Sequence, residues 1–306
     1  MSAAVFDDPE PSVTVRAPAK INLQLAVGAP RPDGFHPLAT VYQAVALYDD
    51  VTVSEALDWS VRLAEPIPGV PLDEDNIAIR AGRALTAHHG TELAAEIVIA
   101  KGIPVAGGMA GGSADAAATL VALDRLWDLE TSDEDLLAIA ATLGSDVPFA
   151  LLGGTATGVG RGEVVTAVPD ATQCWWVAVF SHEGLATPQV YRHFDVVAPD
   201  ADPAPTLDQE LIGALALGDV AAVAAHLGND LAAPALALRP DLAATEKALR
   251  ATGALGVLVS GSGPTMLALF DNGFSARGAL AELQEQGYDC AIATGPVAGA
   301  HQVTYG

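Results

Sequence analysis

The chain has 306 residues, 51% of them hydrophobic but only 5% aromatic, with a formal charge of −24. That hydrophobic share excludes a disordered chain, and the longest strongly apolar run, "CWWVAVF" at 174–180, falls far short of the ~20 residues a membrane helix needs. The charge argues against nucleic acid and anionic membranes as partners, because phosphate contacts need clustered Lys and Arg.

Lysine occurs only at Lys20, Lys101 and Lys247. A phosphate ligand would therefore be repelled by the global field and held by a few local donors. The first residues, "MSAAVFDDPEPSV", carry acids where a secretory leader would be basic, so the expectation is a cytoplasmic protein. Cys174 and Cys290 each sit in an apolar run and read as buried free thiols.

In chain order, "SVTVRAPAKINLQLAV", "TVYQAVALYDDVTVSE" and "SVRLAE" read as strands separated by turn residues. The first places Lys20 and Asn22 at alternate positions, hence on one face. Between the first two strands, "RPDGFHPL" exposes Phe35 and His36 after a Pro-Asp-Gly turn. "DEDNIAIRAGRALTAHHG" reads as a helix with acids at its start and Gly90 after its end. A strand at 96–100 leads into "PVAGGMAGGSADAAA", and a helix follows from Ser113 to about Trp127. Ser132 reads as the cap of another helix, with Asp133, Glu134 and Asp135 in its first turn.

From Asp146 onward "DVPFALLGGTATGVGRGEVVTAV" reads as strands and turns. The rest reads as a strand near Cys174, a short helix near Val190 and a Pro- and Asp-rich connector at 196–207. Helices to Thr252, the pair "GVLVSGSGPTMLALF", a helix around Ala279–Gln286 and a last strand near Cys290 complete it. Strands and helices without regular alternation indicate an α+β fold.

The segment 104–118 carries the chemistry. Successive N–H groups in a glycine-rich turn, ending at a helix N-terminus, form a concave anion site, and glycine admits close approach and positive φ. Ser113 can cap the helix or offer its hydroxyl to a phosphate or Mg²⁺. The motif is neither a P-loop, which needs Gly-Lys-Ser/Thr, nor the G-x-G-x-x-G dinucleotide pattern. Taken alone such a loop is more often a structural turn with close helix packing. Asp146, in apolar surroundings before Pro148, is costly unless paired, which makes it a candidate functional group as well as a candidate helix cap.

Seven stretches resemble the GHMP kinase superfamily, in its order and approximate spacing. They are "APAKINLQLAV", "RPDGFHPLATVYQAV", "AGGMAGGSADAAATLVALDRLW", "LGSDVPFALLGGTATGVGRGE", "TPQVY", "GND" and "VSGSGPTM". "DGFH" and "LGSDVPF" resemble the branch acting on a cytidyl-diphosphate-linked methylerythritol rather than homoserine, mevalonate or galactose. The resemblance implies a two-domain α+β GHMP kinase fold. A ribosomal-protein-S5-like ATP-binding domain would occupy 1–168 and a C-terminal, substrate-binding GHMP kinase domain 169–306. It implies phosphorylation of an alcohol with ATP and Mg²⁺, in a monomer or homodimer.

By position, Asp146 would be the general base and Lys20 would orient the hydroxyl and offset charge. Asn22 would line the substrate site. His36 would bond the cytosine edge, Phe35 and Tyr191 would stack on its faces, and Thr187, Gly261, Ser262 and Gly263 would complete the substrate pocket. Pro104, Ala106, Gly107, Gly108, Met109, Ala110, Gly111, Gly112 and Ser113 would hold the ATP phosphates, with Asn76 and Lys101 near the nucleoside. Ser113 would be the metal-side hydroxyl, since Ala114 replaces a second serine of the family loop. Ala106 and Ala110 replace glycines, which keeps the cradle if their φ is negative. Phe35 stands where tyrosine is common. Another GHMP kinase, or a silent sugar-phosphate sensor on the same fold, are the competing readings.

Overall fold

The computed structural model describes residues 11–305. Most of the acidic opening segment lies outside the described residues. Two long strands, β1 (Ser12–Val27) and β2 (Leu38–Ala56), pair antiparallel and form the spine of the first sheet. Then follow β3 (Ser60–Leu63), α1 (Ile77–His89), β4 (Ala94–Ala100), α2 (Gly111–Leu126), α3 (Asp133–Leu143), α4 (Val147–Leu152), β5 (Thr155–Gly160) and β6 (Val164–Ala167). The second half runs β7 (Cys174–Val179), α5 (Thr187–Val197), α6 (Gln209–Leu217), α7 (Val220–Ala225), β8 (Gly228–Asn229), α8 (Ala232–Leu238) and α9 (Leu242–Ala251). It ends with β9 (Gly256–Val259), β10 (Met266–Phe270), α10 (Gly273–Glu285), β11 (Cys290–Gly295) and β12 (His301–Val303).

The first sheet has the order β12-β1-β2-β4-β3, with β5 and β6 continuing from β2 and β8 lying parallel to β1. Two strands from the second half thus complete the first sheet. The second sheet, β11-β7-β10-β9, is antiparallel throughout. One apolar core joins the first sheet and its helices to one face of the second sheet, through Trp176, Ala178, Leu267 and Leu269; another gathers the opposite residues of that sheet, such as Val177, Val179 and Phe270, with α5, α9, α10 and the end of β1. Cys174 and Cys290 are buried and free. Among the described residues no helix is long and apolar enough to cross a membrane.

Three details place the site. The β1–β2 register shifts between Pro18 and Ala19 and again between Asn22 and Gln24. Such irregularities bend a strand and re-aim its side chains, and here they bracket Lys20 and Asn22. Helix α2 packs against β1 and β2 on one side and α1 and α4 on others. Ala114, Ala116, Ala117 and Ala118 are fully buried, so the small side chains let the helix sit close to the sheet. Ser132 caps α3 as expected, accepting from the Asp135 N–H at 3.1 Å.

Other expectations change. The acids at 73–75 precede α1 rather than entering its first turn; Asn76 is the cap, with its side chain accepting from Ala78 N–H at 2.8 Å. The stretch after Asp146 opens with a helix, α4, because Pro148 falls in the first turn, where its missing N–H has no intrahelical role. Helix α2 begins at Gly111, so Ser113 lies inside it and caps nothing.

Candidate active site

A cavity of about 910 Å³ lies between the glycine loop, β1–β2, α5 and the β9–β10 turn. Of the residues singled out by sequence, all but Met109, Ser113 and Gly263 line it. Met109 is buried in the core, and its carbonyl accepts from Lys20 N–H at 3.1 Å, which fastens the loop to β1. Gly263 closes the β9–β10 turn through its N–H to Ser260 O at 2.7 Å.

Lys20 is nearly buried. Its Nζ donates to Asn22 Oδ1 at 2.8 Å, stands 3.5 Å from Asp146 Oδ2 and lies 5.3 Å from the Tyr42 ring centre. Asn22 is fixed in turn by donating to Thr40 Oγ1 at 2.8 Å. An ammonium has three N–H donors, so Lys20 retains one for a ligand. Asp146 occupies the cap position of α4, yet its side chain caps nothing. Its carboxylate is turned instead to Lys20 and the cavity, so the helix-cap reading of the sequence does not hold. Burial, then the negative charge of Asp146, push the Tyr42 phenol up, so it stays protonated beside them.

The two glycine turns touch. Gly108 has φ +78°, and a Cβ there would sit 2.3 Å from Ser260 O; only glycine fits. Ser260 Oγ donates to Gly108 O at 3.0 Å. Asn229, from the "GND" stretch, donates through Nδ2 to Val259 O at 2.8 Å and Gly261 O at 2.7 Å, holding the second turn in place. Ala106 and Ala110 do not take negative φ; they have φ 55° and 60°. Both alanines sit in the left-handed region instead, at some strain.

At the other end, Phe35 is half exposed and carries Arg161 over its face, 4.9 Å from guanidinium carbon to ring centre. His36 is buried, 5.0 Å from Tyr191 ring to ring. Thr187 and Ser262 are joined hydroxyl to hydroxyl at 2.8 Å, tying α5 to the second glycine turn.

Lys101 and Asn76 line the cavity but are engaged elsewhere. Lys101 Nζ bonds Asp49 Oδ2 at 2.5 Å and Asp115 Oδ2 at 2.7 Å, all three nearly buried. Asp49 also accepts from the N–H groups of Gly102 and Ile103 at 2.8 and 2.9 Å. Burial opposes the charge on Lys101, but the two carboxylates outweigh it and hold its pKa above normal. Asp115 is raised by its own burial, with Lys101 pulling it down and Asp49 pushing it further up. Asn76 spends its oxygen on the α1 cap and its Nδ2 on Pro71 O at 2.6 Å.

Sequence reasoning passed over Tyr42, Arg161 and Asp195, which also line the cavity. For Asp195 a signal existed: it follows Thr187 and Tyr191 at four-residue intervals on one helix.

The match to family models agrees with this architecture. Residues 76–154 match the GHMP kinases N terminal domain and 211–289 the GHMP kinases C terminal domain. A protein of a Nocardioides species named 4-diphosphocytidyl-2-C-methyl-D-erythritol kinase is 60% identical, the match covering 95% of this chain and 100% of that one. A protein of the same name from Streptomyces coelicolor is 51% identical, covering 94% and 98%. A crystal structure of 4-(cytidine 5′-diphospho)-2C-methyl-D-erythritol kinase superposes with TM-score 0.75 at 33% identity, over 92% of this chain and 98% of that one. L. major mevalonate kinase, at 17% identity and TM-score 0.70 over 98% and 100%, shares the fold. The chain belongs to the GHMP kinase family, on the branch of the 4-diphosphocytidyl-2-C-methyl-D-erythritol kinases.

Proposed function

We propose that the chain transfers the γ-phosphoryl group of ATP to the 2-hydroxyl of 4-(cytidine 5′-diphospho)-2-C-methyl-D-erythritol, in the non-mevalonate route to isoprenoid precursors. The observation that carries this reading is the Lys20–Asp146 pair, which opens into one cavity with both the glycine loop and the Phe35–His36–Tyr191 cluster. The names of the relatives support it. A cytoplasmic location belongs to the same reading.

Asp146 Oδ2 accepts the proton of the substrate hydroxyl as that oxygen bonds to the γ-phosphorus and the bond to the β-phosphate oxygen breaks, leaving ADP. Lys20 holds Asp146 in place at 3.5 Å and turns its free N–H to a phosphate oxygen. The N–H groups of the loop and of the α2 N-terminus stabilise charge on the transferring group, which is where such enzymes exert most of their effect. Proton transfer adds roughly 10²–10⁴-fold.

Mg²⁺ takes one or two carboxylates and keeps phosphate and water ligands. Asp146 and Asp115, the latter with an Oδ1 buried without a partner, are the oxygens lining the cavity that fit it; Ser113, which the sequence assigns to the metal side, does not line the cavity. When bound there, the ion would supply positive charge to offset that of the phosphates.

The test is ADP release with the cytidyl substrate, with mevalonate and homoserine as controls. Turnover is expected with the cytidyl substrate alone, and Asp146→Asn is expected to lose it while still binding ATP. Turnover with a control only would discard the cytidyl reading. Near-normal turnover in Asp146→Asn would remove Asp146 from the mechanism.

A further inference from the structure

Thr187, Tyr191 and Asp195 recur every four residues along α5, so they share one face of the helix, and all three line the cavity. Asp195 ends this stripe. Its Oδ1 is buried and accepts no hydrogen bond, and it stands 3.5 Å from His36 Nε2.

The other ring nitrogen fixes the tautomer. His36 Nδ1 lies 2.8 Å from Gly28 O. A carbonyl only accepts, so Nδ1 carries a hydrogen, and in the neutral ring Nε2 is a bare acceptor. Two acceptors, the buried Oδ1 of Asp195 and Nε2 of His36, then face each other with no hydrogen between them. Buried acceptors left without donors are costly, and the pair is completed by a group bearing two N–H bonds on one atom.

We propose that Asp195 determines base specificity: its carboxylate and His36 Nε2 together accept the two N–H groups of an exocyclic amine on the bound base. The inference rests on the cytidyl reading of the cavity. Cytosine offers such an amine at position 4, and acidic side chains are suited to accept from it. Uracil places an acceptor oxygen there, so a uridyl ligand would bring a third acceptor to the pair. Stacking on Phe35 and Tyr191 cannot make this distinction, because every base has a stacking face.

The experiment compares kcat/KM for the cytidyl substrate and its uridyl counterpart in wild type, Asp195→Asn, Asp195→Ala and Tyr191→Ala. Wild type should favour the cytidyl substrate. The preference should fall about 5- to 150-fold in Asp195→Ala, the range for losing one paired base contact. It should fall at least as far in Asp195→Asn, which keeps the shape and can donate to uracil. The KM for ATP should hold in both, which marks a folded enzyme. Wild type turning over both substrates equally would overturn the assignment. So would Asp195 variants that keep the wild-type preference or lose activity equally on both substrates. If Asp195 variants keep the preference while Tyr191→Ala raises the cytidyl KM, the pocket stands and only Asp195 is removed. If Tyr191→Ala leaves that KM unchanged, the cytidyl reading itself fails.

Discussion

Two carboxylates meet one ammonium beneath the glycine loop. Removing the ammonium in Lys101→Met would leave Asp49 as an uncompensated buried charge beside Asp115, and breaking a buried pair in this way costs about 3–5 kcal/mol. Asp115→Asn keeps the Lys101–Asp49 pair and its two backbone donors, so it should cost much less. Denaturant midpoints of the two variants check this, and equal losses would contradict it. The sign of the pH effect follows from the raised Asp115. Its contribution is fully present below the ordinary carboxylate pKa and is lost as pH rises through the folded value, so Asp115→Asn should flatten the decline in stability above the ordinary carboxylate range. None of this was legible in sequence. Asp49 and Asp115 lie 52 and 14 positions from Lys101, and a carboxylate's partner is a matter of tertiary placement. Lys20 and Asn22 were legible because strand alternation alone puts them on one face. Asp146 was legible because a carboxylate among apolar neighbours needs a reason.

The loop between β4 and α2 keeps two alanines in the left-handed region. That conformation costs an L-residue roughly 1–2 kcal/mol, while glycine gives back about 0.4–1 kcal/mol through the freer unfolded chain. The first effect should win narrowly. Ala106→Gly and Ala110→Gly are expected to raise stability by up to about 1 kcal/mol each, read as a higher Tm; a fall would mean the alanines are unstrained. The glycine pattern made this loop visible in sequence, but its close contacts with the β9–β10 turn, at Gly107 and Gly108, are remote in the chain. Helix α4 shows a different limit. Pro148 reads as a breaker unless the helix start is known, and six residues are too few for a periodic pattern. The three-residue β12 is shorter still and is defined only by its partner.

A protein of charge −24 that binds polyanions works against its own field. Of the cations lining the cavity, Lys101 is already neutralised by two acids, which leaves Lys20, Arg161 and Arg192. Raising ionic strength from about 0.01 to 0.15 M shortens the screening length from roughly 30 to 8 Å. The long-range repulsion should fade while contact-range attraction persists, so kcat/KM for both ATP and the second substrate should rise with salt. A steep fall would show that local cations dominate at distance. Composition made the charge plain; it could not say that the first sheet draws strands from both halves of the chain. That feature has a bearing on how the protein is made. The free edge of β1 is covered by β12, pairing Arg16 with His301, and the two are 285 positions apart. At the usual pace of synthesis the later strand follows roughly 15–60 s behind the earlier one. For that interval the start of the strand that carries Lys20 is open to pairing with any other extended chain, and along Thr14–Arg16 only the late arrival of three residues seals it.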